Sequence, residues 1–160
     1  MVTYEENTAF ALARDEVLAH LHPKRRRILK VRVFRLPHGP NAPSRDRVRS
    51  LVTHLGFNTA ALDEFVTVDA ATARQICLNI SRHELAHLHT LLPRDLAENL
   101  TDDWMRALGN DVSFVTNGDV GMLPDLGAGA APPLTFEDLD AGVIAVGKAV
   151  SGIFWNSENS

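Results

Sequence analysis

AGVIAVGKAVSGIFW, residues Ala141–Trp155, is the richest apolar stretch of the chain. Thr135, a little upstream, is a residue type that caps helices. With that start, Leu139, Val143, Val146, Val150 and Ile153 fall on one side of a helix. The spacing predicts a C-terminal helix near 135–154. Gly142, Gly147 and Gly152 are expensive in a helix, at about 1 kcal/mol each, so their presence implies close packing against another element, such as a second copy of the chain. The stretch contains Lys148 and falls short of the roughly 18 apolar residues of a membrane span.

Working back from there, residues near 118–134 are rich in Gly, Ala and Pro and read as a loop. Val112–Thr116 reads as a strand with a turn at Asn117-Gly118. Leu96, Leu100, Trp104 and Leu108 recur at helical spacing. RQICLNI, Arg74–Ile80, alternates Ile76, Leu78 and Ile80 and reads as a strand, or else as the opening of one long helix from Asp69 to Leu92. Leu62–Val68 is a short helix or a strand, with Phe-Val-Thr-Val favouring strand at its end. Ser44 caps a helix carrying Val48, Leu51, Val52 and Leu55, which Gly56 ends. Leu29, Val31 and Val33 alternate with Lys30 and Arg32, as in a strand. Phe34 and Leu36 shift the apolar set by one, which suggests a bulge or an edge. Thr3 to Glu6 fits a capping box for a first helix near 4–20. The whole predicts a single α+β domain over 1–160, with a small mixed or antiparallel sheet and about four to five helices.

Of 160 residues, 45% are hydrophobic and 22% charged, so a core forms without staples. The lone cysteine, Cys77, excludes an internal disulfide framework and fits a reducing compartment. The acidic opening MVTYEENTAF lacks the apolar segment of a signal peptide. A cytoplasmic location is expected.

The net charge of −4 conceals a polarity. Lys24–Arg49 holds ten bases against one acid, a net of +9, and Asp95–Asp140 holds ten acids against one base, a net of −9. Such a split steers a partner to one side, or lets the two regions face each other within the fold or across a dimer.

SRHELAHLH, Ser81–His89, contains a match to H-E-x-x-H at 83–87. On a helix, residues four apart share a face. His83 and His87 would offer two imidazoles to one Zn²⁺, with Glu84 as base for a metal-bound water. These five residues resemble the zincin metallopeptidase signature. That resemblance implies His83 and His87 as ligands and Glu84 as the catalytic base. The extended pattern, however, wants glycine and histidine where the chain has Thr90 and Pro93. Glu98, Asp102 and Asp103 are candidate third ligands that no spacing singles out. Ser81 and Glu84 also spell a capping box for a helix beginning at Ser81, which accounts for Glu84 without catalysis.

The basic stretch would meet phosphates if its cations lay along one strand face. The leading expectation is instead a charge-polarised protein that binds another protein, or itself as a homodimer, as an accessory, regulatory or immunity-type factor. Arg25, Arg26, Arg27, Lys30, Arg32, Arg45 and Arg49 would make the contact, with no catalytic set and no cofactor. The alternatives are a zinc-dependent hydrolase and a nucleic-acid binder.

Overall fold

In chain order the elements are β1 (Glu5–Glu6), α1 (Thr8–Leu18), β2 (Leu29–Arg35), α2 (Ser44–Leu55), β3 (Val66–Val68), α3 (Ala70–Arg82), α4 (Arg94–Leu108), β4 (Val112–Thr116), β5 (Leu139–Gly147) and β6 (Val150–Glu158), with one 3₁₀ turn at Leu62–Glu64. They belong to a computed structural model that describes residues 2–37, 41–85, 89–118, 132–137 and 139–158. The strands form one six-stranded sheet in the order β1-β2-β6-β5-β4-β3, and every pairing is antiparallel.

The expected small sheet is therefore overturned by a six-stranded one, and so is the helix near 135–154. Among the described residues there are four α-helices, and Ala141–Trp155 is the central hairpin of the sheet. The cause is burial on both faces. Ala141, Val143 and Ala145 of β5 and Phe154 of β6 enter one core with α1, α3 and α4. Ile144 and Val146 of β5 and Ile153 and Trp155 of β6 enter a second core with α2. A strand apolar on both sides loses the alternation that marks a half-buried strand.

The second core also explains Phe34. It is 1% exposed and packs with Trp155 and α2, while Val31 and Val33 face the other helices. The β2–β6 register runs unbroken from Leu29 opposite Asn156 to Arg35 opposite Val150. No bulge is needed, because the strand feeds two cores.

The glycines of the hairpin make room for indoles within the same chain. A Cβ on Gly142 would stand 2.6 Å from Trp155 Cε3. One on Gly152 would stand 3.1 Å from Trp104 Nε1 and 2.9 Å from the Arg32 carbonyl oxygen. Trp104 uses that opening to donate to the Arg32 carbonyl at 3.2 Å, which satisfies an otherwise buried N–H.

RQICLNI is helix, not strand. Asp69 caps α3 by accepting from Thr72 N at 2.8 Å. Ala73, Ile76, Cys77, Ile80 and Ser81 line its buried side at helical spacing. At the N-terminus, Glu5 and Glu6 pair with β2 instead of forming a capping box. Asn7 caps α1 by accepting from Phe10 N at 2.9 Å. The helix from Ser44 and the strand Val112–Thr116 lie where the sequence puts them, although Ser44 is the first residue of α2 and Pro43, not Ser44, is its N-cap. Most of the expected loop near 118–134 lies outside the described residues.

Candidate functional site

The helix expected from Ser81 does not exist. α3 ends at Arg82, and His83 is extended at φ −135° and ψ 143°. Three carbonyls at the helix end are claimed from outside. Asn156 Nδ2 donates to the Ile80 oxygen at 2.9 Å, Leu92 N to the Ser81 oxygen at 3.1 Å, and Leu91 N to the Arg82 oxygen at 2.7 Å. The chain thus turns back on itself, with His83 bridged to Thr90 and Glu84 N donating to the His89 carbonyl at 2.9 Å. Ser81 Oγ donates back to the Cys77 carbonyl at 2.7 Å and is not an N-cap. His83 is therefore not the start of a helical i, i+4 ligand pair. His87, its expected partner, lies outside the described residues.

Glu84 sits in this turn between Arg25 and His89. Its carboxylate lies 3.2 Å from Arg25 Nη2 and 3.4 Å from His89 Nδ1. Arg25 also donates to the Thr90 carbonyl at 2.9 Å, and Glu158 accepts from Leu85 N at 2.9 Å. The buried Nδ1 of His83 has no hydrogen-bond partner among the described residues. The candidate third ligands Glu98, Asp102 and Asp103 all lie on α4. They pair with Arg94, Arg74 and Arg106 respectively. Among the described residues no group of three or more His, Cys, Asp or Glu side chains is arranged to hold a metal ion.

Most of the basic residues are already engaged. Arg26 donates to the Leu21 carbonyl at 3.0 Å beyond the end of α1. Arg27 is exposed beside it. Lys30 donates to the Arg27 carbonyl and to Ser157 Oγ, and lies 3.6 Å from Glu137. Arg32 pairs with Glu6, whose carboxyl it holds below the ordinary range. Only the Lys30–Glu137 contact joins the +9 segment to the −9 segment among these pairs. The other acids come from the N-terminus, the 3₁₀ turn and the turn after α3.

Arg45 and Arg49 stand apart from this. They lie one turn apart on α2 and share one carboxylate, Asp63, at 2.8 Å and 3.8 Å. The hydrogen bond from Arg45 draws the Asp63 carboxyl below its usual range. The three side chains border a groove of about 270 Å³ floored by Val48, Leu62, Phe65 and Val115. The groove exists because α2 packs on β5 and leaves the neighbouring face of β4 and β3 partly open. Through Ser44 it adjoins a second depression of about 880 Å³ that runs past Asp111, Lys148 and the β5–β6 turn. The sequence pointed to Arg45 and Arg49 but not to the floor. Its four residues come from α2, the 3₁₀ turn, the residue that joins that turn to β3, and β4, so no local spacing could unite them.

Two buried groups are structural. Asp140, 4% exposed, accepts from Leu134 N at 3.1 Å, Thr135 N at 3.2 Å and Asn117 Nδ2 at 3.3 Å. Burial pushes its carboxyl up in spite of these donors. The bonds draw residues 132–137 over the second core and seal Leu134 into it. Cys77 is fully buried, and burial pushes its thiol well above the ordinary value, as expected of a core thiol and not of a nucleophile.

Among the described residues no helix is long and apolar enough to cross a membrane. Compared with family models, curated proteins and solved structures, the chain matches none.

Proposed function

We propose that this chain acts by binding another protein, through the α2 face of the sheet over β3 and β4. The observation that carries the reading is the groove beside α2, with a buried-to-apolar floor and two arginines on its rim sharing a single acid. At about 270 Å³ it falls just below the roughly 300–1,000 Å³ of small-ligand sites. It is the size of a pocket for one anchoring side chain, the kind of feature that dominates protein interfaces. The sheet edge alongside supports the reading. β3 is only three residues long, and Val66 on it is 51% exposed. An accessory or regulatory role follows from binding without turnover. The single, buried Cys77 fits a cytoplasmic setting.

Site-specific photocrosslinking tests this in the cells that make the chain. A benzophenone side chain in place of Val115 looks into the groove, and one in place of Glu98 on α4 looks out from the opposite layer. The reading expects an adduct with a discrete polypeptide from position 115 and none from position 98. A self-adduct from position 115 makes the partner a second copy. No adduct from 115, or equal adducts from both positions, rejects the reading.

A further inference from the structure

We infer that the partner presents an extended acidic segment to this groove, one apolar side chain seated on the floor and one carboxylate placed between Arg45 and Arg49. The inference rests on the protein-binding reading and names the chemistry of its partner.

The floor sets the first requirement. Val48 is 5% exposed, and Leu62, Phe65 and Val115 are half-buried around it, so the floor is an aliphatic and aromatic surface already formed, with Ser44 and Thr67 at its margin. It rewards an apolar group and offers nothing to a charged one. The rim sets the second. The rim carries two arginines, Arg45 and Arg49, against one acid, Asp63, a net of +1 beside the groove. A carboxylate is attracted there and a cation is repelled.

Asp63 occupies the position the partner's carboxylate would take. The side chains of Arg45 and Asp63 are 76% and 67% exposed, and Arg49 reaches the same oxygen only at 3.8 Å. Such a solvent-exposed pair is weakly held. An incoming carboxylate that is also anchored through the floor displaces it at little cost. The planar guanidinium of Arg45 suits bidentate capture of that carboxylate. Asp63 thus acts as a resident competitor, sparing the arginines for a ligand that satisfies both floor and rim.

Methyl NMR on the full chain tests this with phenylacetate and its uncharged analogue phenylacetamide as probes. Phenylacetate is expected to shift the methyl signals of Val48, Leu62 and Val115 saturably. It should bind about two- to fivefold more tightly than the amide, as an exposed charge contact allows. The double variant Arg45→Ala/Arg49→Ala should abolish the preference for the acid, and Asp63→Asn should increase it. Silent groove methyls, equal affinity for acid and amide, or a weaker preference in Asp63→Asn overturns the inference. If position 115 still crosslinks to a partner while phenylacetate ignores the groove, the inferred chemistry falls and the protein-binding reading stands. If both fail, the reading itself falls.

Discussion

Replacing Gly142 with alanine separates the two readings of the C-terminal stretch by the sign of its effect. In a helix the substitution stabilises by about 1 kcal/mol. In the sheet the new Cβ would stand 2.6 Å from Trp155 Cε3 and 2.8 Å from Trp155 Cα, and would also crowd the Phe154 carbonyl oxygen. Carbon atoms settle at about 3.5–4.0 Å, so the overlap is on the order of 1 Å. Two of the three obstructing atoms are backbone in the middle of the hairpin and cannot step aside. Overpacking of this kind costs about 1–3 kcal/mol. The smaller chain entropy of alanine returns about 0.5–1 kcal/mol. The net expectation is a loss on the order of 1–2 kcal/mol. Urea unfolding followed by tryptophan fluorescence reads it directly. With a slope of about 2 kcal/mol per molar, the midpoint should fall by roughly 0.5–1 M. Gly152→Ala should move the same way, because its Cβ meets the Arg32 carbonyl oxygen at 2.9 Å. A midpoint that rises in Gly142→Ala would refute the hairpin packing and restore the helix.

Other consequences follow from buried polar groups and the turn after α3. Asn156→Ala removes the donor to the Ile80 carbonyl at the end of α3. It should cost about 1–3 kcal/mol and speed amide exchange around residues 80–85, whereas an unchanged exchange rate there counts against the capping role. Asp140 has a folded pKa raised by burial, so the folded state holds that proton more tightly than the unfolded state does. Its contribution to stability is therefore greatest below the unfolded pKa and declines as pH rises through the folded one. Plotted against pH, the stability of the wild type minus that of Asp140→Asn should rise on acidification, and a fall contradicts the assignment. Because α3 ends before His83, protein prepared without chelators should carry no stoichiometric zinc and melt unchanged after EDTA. Stoichiometric zinc that disappears in His83→Ala would reinstate the metal reading.

The sequence was legible where one face of an element is wet. α2 and α4 each carry a buried stripe and a charged side, and Gly56 in the left-handed region at φ 74° stops α2. It was misleading where both faces are dry. β5 and β6 read as a helix because Gly142, Ile144, Val146, Ile153 and Trp155, positions that in a half-exposed strand would be polar, are apolar or glycine. In α3 the alternation of Ile76, Leu78 and Ile80 imitates a strand, since a broad buried stripe on a helix also admits residues two apart. H-E-x-x-H failed as a helical signature for a tertiary reason. What stops the helix at Arg82 is Asn156, far along the chain on β6, together with the returning Leu91 and Leu92. The two rim arginines were within reach of a charge argument. The floor beneath them was not, because packing alone assembles it.

The most direct test of the protein-binding reading is the affinity of the partner crosslinked at position 115 for the wild type and for Arg45→Glu/Arg49→Glu. Both substitutions are on the exposed side of α2, so the melting temperature should hold. The account predicts binding weaker by about tenfold or more, with most of the loss relieved at high salt. Undiminished affinity in the charge-reversed variant would contradict it.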